Sequence, residues 1–362
     1  MIHVRASERA PLAVTPRVAH VAESFSSGVR SAILDYVSLS AEFEHHLFYS
    51  ARDDAPLVDE EFTGFASATR LPSSHRNAVR YLRGALDAYD IVHSHSSFGG
   101  LYARLARSRR SVSQVYTPHC FAFERADINP VSRLAYRAAE LLLGMNTTSI
   151  AACSERETDI ARTIVGAARS RFVPNSVDPD VPRRTSTYKP GTRALRVVGS
   201  GRNSAQKDPA FFLDAVKAAR SAGHEIDALW IGGDAHLQEQ GSAEDVQVTG
   251  WVSREEAIRL VSQADIYLHT ARWEGFPVAV LEAIVADVPV IVRDSPAFAK
   301  LPLARVTTPS SFSDELLGVD EQSLQTLVHT QQSCLQTYSR TTQQRALIEL
   351  YLDCLGERAG LS

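Results

Sequence analysis

The stretch Arg272-Trp273-Glu274-Gly275-Phe276-Pro277-Val278-Ala279-Val280-Leu281-Glu282-Ala283 decides how this 362-residue chain is read. It follows a strand-like apolar run, Ile266–His269, and leads into apolar positions at helical spacing from Pro277 to Ala286. Gly275 permits a tight backbone, and Pro277 suits the first turn of a helix. The free N–H groups of such a turn, at the positive end of the helix dipole, make a site for an anion such as a pyrophosphate. Glu282 falls about one and a half turns into the helix, so Glu274 and Glu282 address different parts of one ligand. Taken singly, each acid reads as a loop or surface charge. The whole string does not.

On both sides of this stretch, strand-like and helix-like segments alternate. Toward the C-terminal half the strands are Arg196–Gly199, Ala228–Ile231, Val246–Thr249 and Val288–Val292, with helices at Pro209–Ala219 and Arg254–Ser262. Earlier in the chain the strands are Arg17–Ala22, His46–Tyr49, Ile91–His93, Gln114–Thr117, Ser149–Cys153 and Arg171–Pro174. Helical spacing fills Gly28–Leu39, Asn77–Ala88, Gly100–Ala106, Ser132–Leu143 and Glu155–Val165. This alternation predicts an α/β protein with parallel sheets, whose ligands sit outside the C-terminal strand ends. Pro179, Pro182, Pro190 and Gly191 mark a turn-rich linker. The expected organisation is residues 1–178 as one Rossmann-like domain, 179–192 as linker, 193–338 as a second, and 339–362 as a helix returning to the first.

Composition sets limits on partners. A net charge of −4 offers no basic field for nucleic acid. The cysteines Cys120, Cys153, Cys334 and Cys354 form no C-x-x-C pair and show no zinc spacing, so a reduced, cytoplasmic setting is expected. No run of about 20 apolar residues offers a membrane span. Arg76, Arg80 and Arg83 share a helical face, read first as a solvated face and second as a peripheral contact with anionic lipid at the inner face of the membrane. The sequence leaves oligomeric state open.

The E-x7-E element of Glu274 and Glu282, with its G-F-P and L-E-A cores, resembles the signature of retaining glycosyltransferases of the family 4 type (glycosyl transferases group 1), which have the GT-B fold. The resemblance implies two Rossmann-like domains facing each other across a cleft and a C-terminal helix crossing back to the first. It implies transfer of a sugar from a nucleotide-diphosphate sugar to the hydroxyl of a glycan, a lipid-linked saccharide or a small molecule. In that family Glu274 would contact donor-sugar hydroxyls and Glu282 the ribose, while Gly275, Phe276, Pro277 and Val278 would line sugar and phosphates. Gly201-Arg202-Asn203-Ser204-Ala205-Gln206-Lys207 resembles the family's G-R-x-x-x-x-K element, whose cations Arg202 and Lys207 would neutralise the leaving diphosphate. Gly232-Gly233-Asp234 and Gly250-Trp251-Val252 resemble the turns holding the base, which assigns Gly233 and Val252 to the donor.

Other matches lie in the first half. Thr117-Pro118-His119 resembles the T-P-H segment, which implies that His119 lines the sugar pocket. Asp90-Ile91-Val92-His93-Ser94-His95 resembles a strand end facing the acceptor, making His93, His95 and the adjoining Cys120 acceptor-side candidates. Gly28 stands where a Gly-rich loop opens against the phosphates, and Pro174-Asn175-Ser176-Val177-Asp178 resembles P-N-G-V-D. Three departures are visible: a single Gly in Ser26-Ser27-Gly28, Cys120 where the family commonly has Gly, and Ser176 for Gly. Asp178-Pro179-Asp180 matches a metal-binding D-x-D pattern of a different fold; with Pro between its acids it reads as a turn, and no metal or other cofactor is expected. The rival readings are a non-catalytic nucleotide-sugar-binding protein and a phosphorylase or hydrolase on the same scaffold.

Overall fold

The computed structural model describes residues 15–50, 59–107 and 111–359. Thirteen strands are arranged in two sheets among these residues. The first holds β1 (Arg17–Ala22), β2 (Glu44–Tyr49), β3 (Ser67–Arg70), β4 (Ile91–His95), β5 (Ser113–Thr117), β6 (Ser149–Ala152) and β7 (Ser170–Phe172), in the order β3-β2-β1-β4-β5-β6-β7. The second holds β8 (Leu195–Ser200), β9 (Ile226–Ile231), β10 (Gln247–Val248), β11 (Ile266–His269), β12 (Val290–Arg293) and β13 (Ala304–Val306), in the order β10-β9-β8-β11-β12-β13. Every pairing in the second sheet is parallel. Both orders run outward from a first strand and then reverse. In such sheets ligands bind where the order reverses, which here means beyond the ends of β8 and β11.

The second sheet shows why its strands read as near-continuous apolar runs. Val198, Leu229, Ile231, Tyr267 and Val292 point into one buried cluster. Their neighbours Val197, Trp230, Ile266, Leu268 and Ile291 point into another. Period-two alternation thus feeds two covered faces, as a parallel sheet requires. Strands and helices foreseen from sequence recur with ends displaced by a few residues, and Arg17–Ala22, Glu155–Val165, Arg254–Ser262 and Ile266–His269 coincide. After residue 320 the chain forms helices at Glu321–Gln332, Cys334–Thr337 and Arg340–Ala359. At the second break Tyr338 is buried and stacks on Phe276, with ring centroids 4.2 Å apart.

By its packing the chain forms two units: Met1–Thr117 with Asn146–Thr148 and Ile348–Ser362, and Pro118–Met145 with Ser149–Leu347. In the first, Tyr351 of the last helix is wholly buried against Phe43 and His93. In the second, the turn-rich segment read as a linker is stitched to the sheet. Asp265, wholly buried before β11, takes Arg193 (2.8 Å and 2.5 Å), Arg184 (3.3 Å) and the Arg196 backbone N–H (2.9 Å). Burial pushes its carboxyl pKa up, but these donors outweigh burial and hold it below the ordinary value. Arg184 also grips Glu321, whose carboxylate accepts from the Tyr188 N–H.

Asp265 therefore gives this unit stability that is present above the ordinary carboxyl pKa and is lost as pH falls through its depressed one. Asp265→Ala leaves Arg184 buried with one partner fewer; the expected loss is roughly 3–5 kcal/mol, the scale of a broken buried ion pair. Denaturant unfolding checks it, and a loss under about 1 kcal/mol would contradict the clamp.

Candidate active site

The loops after β8 and β11 are laced together by their backbones. The Arg272 N–H donates to the Gln206 carbonyl (2.9 Å), and the Thr270 hydroxyl donates to the Lys207 carbonyl (2.7 Å). Asp208 ends the first loop with a left-handed backbone (φ 49°) and pairs with Arg293 at 2.6 Å. This lacing places Lys207 and Glu274 in direct ion contact. The side chain of Glu274 is only 9% exposed, so an uncompensated charge there would be costly. Burial pushes its carboxyl up, but Lys207 and the neighbouring His269 (3.6 Å) more than offset this and hold its pKa at about 2. The Gln206 amide donates to the Trp273 carbonyl (3.1 Å). Glu274 is thus a permanent carboxylate, able only to accept hydrogen bonds.

Gly275 is dictated by close approach. A Cβ there would lie 2.8 Å from the Cys120 nitrogen, the His119 carbonyl carbon and Glu157 Oε1. The loop after β5 therefore presses directly on the Glu274 turn. His119 and Cys120 both have positive φ, 51° and 100°. The second value is the conformation that glycine adopts freely, so the residue type departs from the resembled family while the backbone shape is one glycine favours. Glu157 organises this contact: Oε1 accepts from the Cys120 N–H (2.5 Å), and Oε2 accepts from the Cys153 N–H (3.0 Å) and thiol (3.0 Å). Burial raises its pKa. His119 is lowered to about 4 by burial, so its imidazole is neutral near pH 7.

The helix of the signature runs Val278–Val285 with Pro277 as its N-cap, one residue later than the sequence suggests. Glu282 is 12% exposed and accepts from Arg254 Nε at 2.9 Å. Asn175 donates to the Phe276 carbonyl (2.8 Å), which explains the P-N segment. Ser176 does more than complete a turn, since its hydroxyl donates to Gln343 at 2.5 Å. Gly232 and Gly233 have φ of 102° and 88°, and a Cβ at Gly232 would sit 2.6 Å from the Gly201 carbonyl oxygen. Gly232 bridges to Gly250, setting Gly233 and Val252 on adjoining turns. Arg202 is exposed on the loop after β8. Within Asp178-Pro179-Asp180, the Asp180 N–H donates to Asp178 Oδ1 (3.0 Å), a local turn.

The other candidates belong to the first unit. Gly28 lies in the first turn of the helix Ser27–Leu39. His93 and His95 differ from the acceptor-side expectation: both rings are wholly buried. His93 bonds Tyr351 (2.7 Å) and Thr117 (2.8 Å). His95 Nε2 meets His20 Nδ1 (3.0 Å), and His20 Nε2 meets His45 Nδ1 (3.0 Å). His45 Nε2 must donate to the Ser40 carbonyl (2.9 Å), which fixes every tautomer back to His95 as a neutral, one-way chain. Burial, then the neighbouring histidines, drive the His20 pKa well below its ordinary value. His20, His93 and His95 bring ligand-type atoms within 4.8 Å of one another, yet hydrogen bonds already occupy both nitrogens of His20 and His93. The period-two strand pattern hid this, because it ranks buried histidines with surface ones. Glu157, Arg254 and His269 also escaped the sequence reading. Glu157 alone left a signal, as the fourth residue of a Ser154-x-x-Glu157 capping pattern.

The family model described as glycosyl transferases group 1 matches residues 193–313, and that of a glycosyl transferase 4-like domain matches residues 27–176. Over 231 residues the chain is 28% identical to the UDP-Gal:alpha-D-GlcNAc-diphosphoundecaprenol alpha-1,3-galactosyltransferase of Escherichia coli, covering 58% of each chain. Over 262 residues it is 26% identical to the GDP-mannose:cellobiosyl-diphosphopolyprenol alpha-mannosyltransferase of Xanthomonas campestris, covering 68% of each. The crystal structure of Anabaena HepE in complex with UDP-glucose shares the fold, with a TM-score of 0.75 at 14% identity over 93% of this chain and 100% of that one.

The Glu274 carboxyl, ordinarily near 4.5, is depressed to about 2, so its stabilising share is full above 4.5 and lost as pH falls through 2. Lys207→Met removes the cation that sustains this. Thermal unfolding against pH should show the variant less stable at pH 7, with a flatter loss between about pH 5 and 2. Parallel curves would contradict the pairing.

Proposed function

The chain matches group 1 glycosyl transferases over residues 193–313 and a glycosyl transferase 4-like domain over residues 27–176, and from that premise we propose a retaining, metal-independent transfer from a nucleotide-diphosphate sugar to a lipid-linked saccharide. The observation that carries the reading is the placement of Lys207 against Glu274 where the strand order of the second sheet reverses. A donor needs a fixed cation for its diphosphate and a fixed acceptor for its sugar hydroxyls, side by side. Arg202, Lys207 and the amide groups opening the Val278–Val285 helix would receive the diphosphate. Glu274 would accept from sugar hydroxyls, and Glu282, steadied by Arg254, from the ribose. Gly233 and Val252 would border the base.

In the proposed step the bond from the anomeric carbon to the phosphate oxygen breaks with its electron pair leaving on the diphosphate. The acceptor oxygen bonds to that carbon on the same face, and its proton passes to the departing phosphate oxygen. Growing negative charge on the diphosphate is what Arg202 and Lys207 stabilise. His119, neutral near pH 7, would offer a hydrogen bond rather than a charge. Cations of the chain itself would supply the charge that a metal supplies elsewhere, and Asp178 and Asp180 close their own turn. A lipid-linked acceptor is supported by relatives named for diphosphoundecaprenol and diphosphopolyprenol substrates.

Two measurements test this. Arg202→Ala and Lys207→Ala should each lower kcat by about 10²–10³ with UDP- or GDP-sugar donors, the scale of a lost charge-stabilising group; near-normal turnover in both would overturn the role. Wild-type turnover should be unchanged in excess chelator, whereas strict dependence on Mn²⁺ or Mg²⁺ would refute metal independence.

A further inference from the structure

His269, the last residue of β11, is 2% exposed, and neither of its ring nitrogens has a hydrogen-bond partner among the described residues. Burying both nitrogens of an imidazole unpaired is costly, and such a group calls for an explanation. Its surroundings narrow the choice. The ring meets Phe298 edge-on (5.6 Å between centroids, 85°) and lies alongside Tyr267 (6.2 Å, 29°), whose hydroxyl is taken by Ser200 at 2.7 Å. Its Nε2 stands 3.6 Å from Glu274 Oε1, just beyond hydrogen-bond range, and Lys207 Nζ is in contact with that same oxygen. The other charges nearby are matched, Asp208 by Arg293 (2.6 Å) and Glu282 by Arg254 (2.9 Å). One carboxylate oxygen thus faces two donors, and the lysine holds it.

We propose that His269 is a positioning residue for the donor: it takes up a proton as the diphosphate binds and replaces Lys207 as the counter-charge of Glu274. The inference rests on the donor reading of the preceding subsection, in which Lys207 receives the diphosphate. Without a donor, Glu274 and Lys207 cancel each other. Burial then holds the His269 pKa below its ordinary value, with the Lys207 charge acting in the same direction and Glu274 against both. Phosphate charges that draw Lys207 onto themselves leave Glu274 under-compensated in a buried place. The added anion and the diverted cation both favour the imidazolium, whose Nε2–H is a small movement away from a hydrogen bond to Glu274 Oε1. The proton comes from solvent, and the N–H bond is the only bond formed. Glu274 keeps its charge and its place under the sugar while the lysine serves the leaving group.

Calorimetric titration of UDP-glucose, GDP-mannose and ADP-glucose into the full chain, in buffers of low and high ionisation enthalpy near neutral pH, counts the protons exchanged. The diphosphate diester of a nucleotide sugar does not titrate there, and His119, at about 4, is already neutral. Expected is uptake of roughly half a proton or more per donor bound, and a Kd that rises about tenfold from about pH 6 to about pH 8. His269→Gln keeps a hydrogen-bonding group without a titratable one, so it should bind with no uptake and a level Kd at the wild-type Tm. His269→Phe, which packs on Phe298 without polar atoms, serves where the amide variant does not fold. Wild-type heats that do not depend on the buffer, a wild-type Kd that stays level with pH, or uptake that survives the substitution would overturn the proposal. Absence of any heat or Tm shift with all three donors would instead overturn the donor reading, and this inference with it.

Discussion

A carboxylate nine-tenths withdrawn from water at the head of a parallel sheet persists as a charge only beside a cation, and the Glu274–Lys207 contact meets that condition. Its partners come from loops 67 residues apart in sequence. They meet because β8 and β11 are neighbours in the sheet although β9 and β10 intervene in the chain. The backbone bonds Arg272 to Gln206 and Thr270 to Lys207 hold the loops in register, so neither side chain has to find the other. Side-chain entropy that a surface pair would lose on forming is thereby largely removed in advance.

The same economy of motion appears where Gly275 meets the loop after β5. Three atoms of that loop and of Glu157 stand where a Cβ would go. Cys120 holds a φ of 100°, which an L-residue adopts only when its surroundings impose it. The constraint is visible: Glu157 takes the Cys120 and Cys153 N–H groups on opposite oxygens, fastening the left-handed turn to the start of a helix. A neutral amide in place of Glu157 would offer one acceptor where two donors point. Strain at Cys120 and acid at Glu157 are one device.

Much of this was legible in the sequence, for a physical reason. Strands buried on both faces are long apolar runs, and Arg254–Ser262 or Glu155–Val165 begin at a Ser cap and keep helical spacing, so their ends stand out. Glu274, Lys207 and Gly275 were readable because their chemistry imposes spacing within one loop each. What escaped lacks such marks. Strand β3, Ser67–Arg70, carries no large apolar residue and lies at a sheet edge, where pairing alone sustains it. Asp265 reads as one acid in a helix-to-strand turn; only folding brings Arg184 and Arg193 onto it. His95 carried a motif yet ends a tautomer chain whose links span 75 and 25 residues, and His93 beside it bonds Tyr351 from 258 residues away.

The electrostatics of the site favour binding before chemistry. With Glu274 held near a pKa of 2 and His119 near 4, neither group changes charge around neutral pH, so the field met by a donor is fixed in advance. Lys207 already spends part of its charge on Glu274, which lowers its attraction for free anions. In the proposed reading a diphosphate would add a second anion to the same ammonium, and the pair would then rely on Arg202 and the helix amides to balance it. A sugar whose hydroxyls donated to Glu274 would relieve part of that load by sharing the carboxylate's charge. On that reading a nucleotide with its sugar would satisfy the site more completely than a bare diphosphate, and discrimination would follow from charge balance as much as from shape.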